Sequence, residues 1–178
     1  MLKAEITRLL NQDSSDFSEN QQHEIASVYQ QLKKIAKGQR YNVKDSGFNT
    51  TALVNEAWVK THKQSKKFTN RNHFFAYCAL AMRHILLNEA KHNQIITFVE
   101  YNDELKPSTF NESDYLIELD LQLRKLKSFS PRLEQVFTFK YFGDMEFNDI
   151  ATVLDMSERT VFRDWQKAKT MLAAAMQA

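Results

Sequence analysis

Residues 130–172 read SPRLEQVFTFKYFGDMEFNDIATVLDMSERTVFRDWQKAKTML, and their spacing predicts two short helices joined by a tight turn. Phe147, Ile150, Ala151 and Leu154 recur at helical intervals, Asp155 and Met156 interrupt, and Val161, Trp165 and Ala168 resume the period. Ala151 is small where the two helices would cross closely. Ser157 can accept a backbone N–H of the following turn and so start the second helix, where Glu158 suits the positive end of the helix dipole. The outward face then carries Glu158, Arg159, Phe162, Arg163, Gln166 and Lys167. These donors, acceptor and apolar tip are the groups that reach phosphates and base edges in a DNA major groove. Asp155 stands where such turns often use glycine, and Asp tolerates a left-handed backbone better than most residues.

Upstream, Ser130 is placed to cap a helix that opens at Pro131 and ends at Gly143, and another helix is expected over 114–127. Farther back, Ile25, Val28, Leu32, Ile35 and Ala36 predict a helix over 20–40 with Gly38 at its fraying end. Leu53, Val54, Ala57 and Trp58 predict a second over 50–62, and the aromatic run from Asn72 to His92 a third. From Gln94 to Ser113 the period fails, Pro107 interrupts and acids accumulate, as in a linker. The expectation is an all-α chain of two small helical domains. An N-terminal segment 1–19 precedes a bundle 20–93, an acidic linker 94–113 and a helix-turn-helix domain 114–178.

Composition agrees. Among 178 residues only three are Gly and two Pro, too few for the turns of a sheet protein, while 43% hydrophobic content suffices for helical cores. No apolar run approaches the ~18 residues of a membrane span, and MLKAEITRLL is too short and too charged for a signal peptide. A cytoplasmic protein with no membrane partner is expected. The single cysteine, Cys78, lies between Tyr77 and Ala79 and reads as a buried thiol in a reducing compartment. The net charge of +2 is the sum of unlike blocks: +6 over residues 1–93, −6 over 94–120 and +2 over 121–178. Between Ala57 and Asn88 stand Lys60, Lys63, Lys66, Lys67, Arg71 and Arg83 with no acid, a candidate polyanion surface.

Phe74, Phe75 and Tyr77 read as core, because large aromatics bury much area in small bundles. Trp58 and Trp165 read as packing anchors, and Asp164 as a local partner of Arg163 or Lys167. His84, Asn88 and His92 share a helical face, but no Cys pair or HExxH accompanies them, so neither a metal nor another cofactor is expected. No nucleophile–base arrangement stands out, and the chain does not read as an enzyme.

Four strings together, ALVNEAWVKTH (52–62), NRNHFFAYCALAMRHILLNEAKH (70–92), SPRLEQVFTFKYFGDMEFNDIATVLDMSERTV (130–161) and RDWQKAKTML (163–172), resemble a bacterial extracytoplasmic-function (ECF) sigma factor, and particularly the divergent ECF-like group of the sigma-70 superfamily. The resemblance implies core RNA polymerase and promoter DNA as partners, with an anti-sigma protein as a further candidate. It implies that the first string docks on the polymerase clamp through Leu53, Asn55, Glu56, Val59 and Lys60; Ala52 and Asn55 stand where many relatives have Asp and Gln. It implies that Lys63, Lys66, Lys67, Phe68, Asn70, Arg71, Asn72, Arg83, His84, Asn88 and Lys91 meet the promoter -10 element, where extruding a base needs cations for phosphate and a stacking face. The helix from Ser157 would read the -35 element. Phe162 replaces the usual Lys or Arg there, and either touches a thymine methyl or packs on its own domain. A different class remains open on the residues alone: a dimeric helix-turn-helix activator or repressor that is no polymerase subunit.

Overall fold

The structure, a computed structural model, describes residues 19–41, 49–63, 68–100 and 112–177. Among them are seven helices and no strand: α1 Glu19–Tyr41, α2 Thr50–His62, α3 Arg71–Glu100, α4 Glu112–Phe129, α5 Pro131–Tyr141, α6 Phe147–Leu154 and α7 Glu158–Gln177. The all-α expectation is met. No helix among the described residues is long and apolar enough to cross a membrane.

The helix starts follow local side-chain chemistry. Asn49 Oδ1 accepts the Ala52 N–H at 2.8 Å, Asn70 Oδ1 that of His73 at 2.8 Å, and Ser130 Oγ that of Leu133 at 3.4 Å, with Pro131 in the first turn of α5. Each satisfies a donor that the first turn leaves without a helical acceptor.

Helix α3 lies at the centre, which explains its composition. It meets α1 and α2 on one side and α4, α5 and α6 on the other. Phe74, Phe75, Ala76, Cys78, Ala79, Met82, Ile85, Leu86, Leu87 and Ala90 are therefore all buried, more apolar positions than a helix with one solvated face can hide. One core cluster joins Val28 and Leu32 of α1, Leu53 of α2 and Phe74 of α3 to Leu119 of α4, Phe137 of α5 and Leu172 of α7. A second gathers Val136, Phe139, Met145, Ile150, Ala151 and Val161 around Ala76, whose small side chain lets the α5–α6 turn approach α3. Gln39, buried in α1, ties the two helical groups together: its Nε2 donates to the carbonyls of Ala79 at 3.1 Å and Phe142 at 2.7 Å.

Three expectations change. Helix α1 passes through Gly38 to Tyr41 rather than fraying at the glycine, since glycine weakens a helix by only ~1 kcal/mol and Ile35, Ala36 and Gln39 bury the surrounding turns. Helix α3 continues to Glu100, so 94–100, expected as the start of the linker, is helical; Pro107 and all but one of the acids that supported that expectation lie farther on. The rest of the expected linker, 101–111, and all but the last residue of the N-terminal segment, fall outside the described residues, while 112–113 begin α4. Helix α5 ends at Tyr141 with Phe142 as its C-cap. Gly143 follows without a left-handed backbone, and Asp144 takes the positive φ, 48°. What requires glycine at 143 is space: a Cβ there would meet the Phe139 carbonyl oxygen at 2.5 Å and the Ala79 Cβ at 3.3 Å.

Candidate nucleic-acid and polymerase interfaces

The turn between α6 and α7 is built by two residues. Asp155 adopts φ 52°, ψ 54°, the left-handed conformation that an aspartate can hold, and the Met156 N–H closes back onto the Ala151 carbonyl at 2.9 Å. Ser157 Oγ then accepts the Thr160 N–H at 3.2 Å and fixes the start of α7. Val161, Asp164, Ala168 and Leu172 of α7 are buried. As a geometric consequence, Ser157, Glu158, Arg159, Phe162, Arg163, Gln166 and Lys167 are all exposed, so the whole expected reading set is presented to solvent from one helix and its cap.

The Phe162 ring is 48% exposed and stands edge-on to Phe147, with centroids 5.4 Å apart and planes at 88°. Phe147 is in turn covered by the Lys140 ammonium at 5.1 Å, and that ammonium donates to the Met145 carbonyl at 2.9 Å. Phe162 thus packs on its own fold along one edge while much of its surface remains in water.

Asp164 departs from expectation. It is buried, and its partner is Arg132 of α5, with Nε to Oδ2 at 2.7 Å and Nη2 to Oδ1 at 3.4 Å, rather than Arg163 or Lys167. A carboxylate on the inner face of α7 cannot follow its exposed sequence neighbours outward, so it takes the guanidinium that the facing helix provides. Trp165 stacks on Phe137 at 5.3 Å, as a packing anchor should. Trp58 stacks on His62 at 4.5 Å and meets Phe74 edge-on at 5.5 Å.

On α2, Asn55, Glu56 and Val59 are exposed and Lys60 is half-buried, whereas Leu53 is wholly buried. The expectation that Leu53 meets a partner is corrected by burial: it lies on the stripe with Val54 and Ala57 that faces the core. The Asn55 Oδ1 accepts the Tyr29 hydroxyl at 3.1 Å, which orients it at the α1–α2 edge.

The residues expected at the -10 element divide. Lys63, His84 and Asn88 are exposed, and Asn70, Arg71, Asn72 and Lys91 half-buried; Lys66 and Lys67 lie outside the described residues. Arg71 sits over the Phe75 ring at 5.2 Å. Asn72 donates to Asp149 Oδ1 of α6 at 2.7 Å, and Asn70 serves as the cap of α3.

Phe68 and Arg83 depart. Phe68 is only 6% exposed, packed edge-on to Phe74 at 5.1 Å, Tyr77 at 5.8 Å and His73 at 6.1 Å, so its ring belongs to the core. Arg83 is 5% exposed, with Nη2 on Asp120 at 2.7 Å and Nη1 on Glu134 at 3.2 Å. Thr138 Oγ1 donates to the same Glu134 oxygen at 3.0 Å, Arg124 donates to the other Asp120 oxygen at 2.8 Å, and the Phe142 ring lies 5.2 Å from the Arg83 guanidinium. The physical reason is that a buried guanidinium is tolerable only with such compensation, and α4 and α5 supply it. Partial burial, followed by the Arg83 charge beside it, pulls the His84 imidazole below its ordinary pKa.

Sequence reading missed Arg132, Asp120, Glu134 and Gln39. The only local signal was the presence of polar residues at otherwise apolar helical positions, which does not name a partner. Cys78 is buried as expected, against Thr61 Oγ1 at 3.7 Å, and burial pushes its thiol up to about 12. No group of three or more His, Cys, Asp or Glu that could hold a metal occurs among the described residues.

No curated protein and no solved structure matches the chain significantly. The sequence model described as ECF sigma factor matches residues 3–178, and this span includes the outward-facing α7, the α2 edge and the central α3. The chain belongs to the ECF sigma factor family, whose role is in transcription initiation and which is not a class of enzymes.

Proposed function

We propose that the chain binds core RNA polymerase and directs it to promoters through two separable helical domains, leaving catalysis to the polymerase. The observation that carries this reading is the split of α7: four buried anchors on one side, and on the other Arg159, Arg163, Gln166 and Lys167 in water. A helix of this kind matches the demands of the major groove, where guanidinium groups pair with guanine edges and phosphates and an amide pairs with adenine. It would read the -35 element.

The exposed Asn55, Glu56 and Val59 on α2, with the Lys60 ammonium beside them, form the proposed polymerase contact. Lys63, Arg71, Asn72, His84, Asn88 and Lys91, together with Lys66 and Lys67, form the proposed -10 surface. Here charge neutralises phosphate while the duplex opens. An anti-sigma protein as a regulatory partner fits the same reading, because covering either face would block initiation.

The nominal positions -35 and -10 differ by about 25 base pairs, or about 85 Å at ~3.4 Å per base pair. A compact chain of this length has a radius of gyration of about 16 Å. Engaging both elements therefore requires α4–α7 to part from α1–α3, breaking the Arg83 and Asn72 contacts and freeing those two side chains. That movement is the condition under which Arg83 could rejoin the -10 surface.

The test is reconstitution. The purified chain should co-elute with core polymerase and start specific transcripts on promoter DNA. A chain that does neither, yet binds a palindromic site unaided, would be a self-standing regulator and would overturn the proposal.

A further inference from the structure

The most unusual group on the outward face of α7 is an aromatic ring. Phe162 is one of few large apolar side chains left exposed among the described residues, at 48%, and it stands between two arginines in sequence order, Arg159 and Arg163. Exposed single apolar residues are common and need no account. Two further observations separate this one. First, the ring is supported along one edge: Phe147 abuts it at 88°, and Lys140 caps Phe147 while bonding to the Met145 carbonyl. Second, Arg159, Thr160, Phe162, Arg163 and Gln166 together line an open depression whose walls are mostly carbon, and two of these five residues carry guanidinium groups.

An apolar depression lined in part by two arginines is complementary to one feature of B-form DNA. In the major groove only thymine presents a methyl group, and it does so beside flanking phosphates. A cytosine, adenine or guanine edge would instead place polar atoms against the ring without giving them partners, at the cost of their hydration. The geometry points to Phe162 as a specificity-determining residue that selects a thymine methyl within the -35 element. This inference rests on the proposal that α7 reads that element.

The experiment uses the holoenzyme formed with core polymerase. Its preferred -35 sequence is first selected from promoters randomised in that region, and each thymine on either strand is then replaced by uracil, which differs only in lacking the methyl. Competition binding and run-off transcription are measured for each duplex. Replacement at one thymine should weaken binding about fourfold, the value expected for one buried carbon, and replacements elsewhere should be silent. With Phe162→Ala that penalty should vanish, and the selected sequence should lose its preference at that position.

The inference is overturned if the selected element contains no thymine, if uracil is accepted at every position by the unaltered protein, or if Phe162→Ala retains the penalty. Failure of the underlying reading looks different: no sequence would be selected in the -35 region at all. The uracil series needs no altered protein, so acceptance of uracil at every position overturns the inference even if Phe162→Ala were to disturb the fold.

Discussion

The Arg83 guanidinium of α3 and the Asp120 carboxylate of α4, 2.7 Å apart and both almost wholly buried, pin α4 to the central helix. Asp120→Asn should cost about 3 kcal/mol, because it leaves a buried cation with only Glu134 to answer it. The loss should appear as a lower urea midpoint at unchanged slope. Replacing Arg83, Asp120 and Glu134 together by neutral residues of similar size should cost less than the sum of the single changes, since the three act as one unit. Additive losses would show that Arg83 is not held by both acids at once.

The two glycines of the described helical framework should respond in opposite directions. Gly143→Ala places a Cβ 2.5 Å from the Phe139 carbonyl oxygen, a backbone atom that cannot step aside, and should destabilise by about 1–3 kcal/mol. Gly38 lies inside α1 with open space around it, so Gly38→Ala should stabilise by about 0.5–1 kcal/mol. Thermal melts of the two variants should move apart around the parent, by roughly 2–4 °C per kcal/mol.

Ser157→Ala should remove the cap of α7 and cost about 1 kcal/mol. Arg163→Ala should leave stability nearly unchanged, because the side chain is exposed, but should lower discrimination among -35 sequences by about 1–3 kcal/mol. Equal loss on every promoter would assign Arg163 to phosphate rather than to a base. Holoenzyme binding across a panel of -35 variants at fixed salt separates the two.

Alkaline pH should act through Cys78. Burial pushes its folded pKa up to about 12 from the ordinary thiol value of 9.0, so the folded state keeps a proton that the unfolded state releases. The associated stability is fully present below pH 9 and falls as pH rises toward 12, on the order of 1 kcal/mol per pH unit. Tyr141, also raised by burial, adds in the same sense at still higher pH. Cys78→Ala should flatten the slope between pH 9 and 10 in urea titrations, and a thiol reagent should label native Cys78 only as fast as the fold opens. His84 acts at the other end: its folded pKa is depressed, so its contribution is present above 6.5 and lost as pH falls through the lower folded value.

Legibility in the sequence tracked distance along the chain. The limits of α2, the caps at Ser130 and Ser157 and the left-handed Asp155 were all readable, and each depends on residues within one turn of helix. The same holds for the exposed set on α7, because the spacing of Val161, Trp165 and Ala168 settles which side of the helix is buried. Leu53 already stood on the apolar stripe with Val54 and Ala57, and its burial follows that stripe rather than the role implied by the resemblance; Phe68 precedes α3, where no helical period applies, and only its packing on Phe74 and Tyr77 puts the ring inside. The burial of Arg83 was not legible for a different reason: α3 is apolar on more than one side, so its periodicity does not say where a cation points.

The sequence by itself determined the helical class, the element order and the chemistry offered by α7, since propensity, caps and period act over three or four residues. Only the tertiary structure decided that Arg83 faces Asp120 and Glu134, 37 and 51 residues away, that Asp164 answers Arg132, and that Gln39 reaches Phe142 across 103 residues. A buried polar group must take whichever partner packing brings within 3 Å or so. That choice is made by the meeting of helices, which no local pattern encodes.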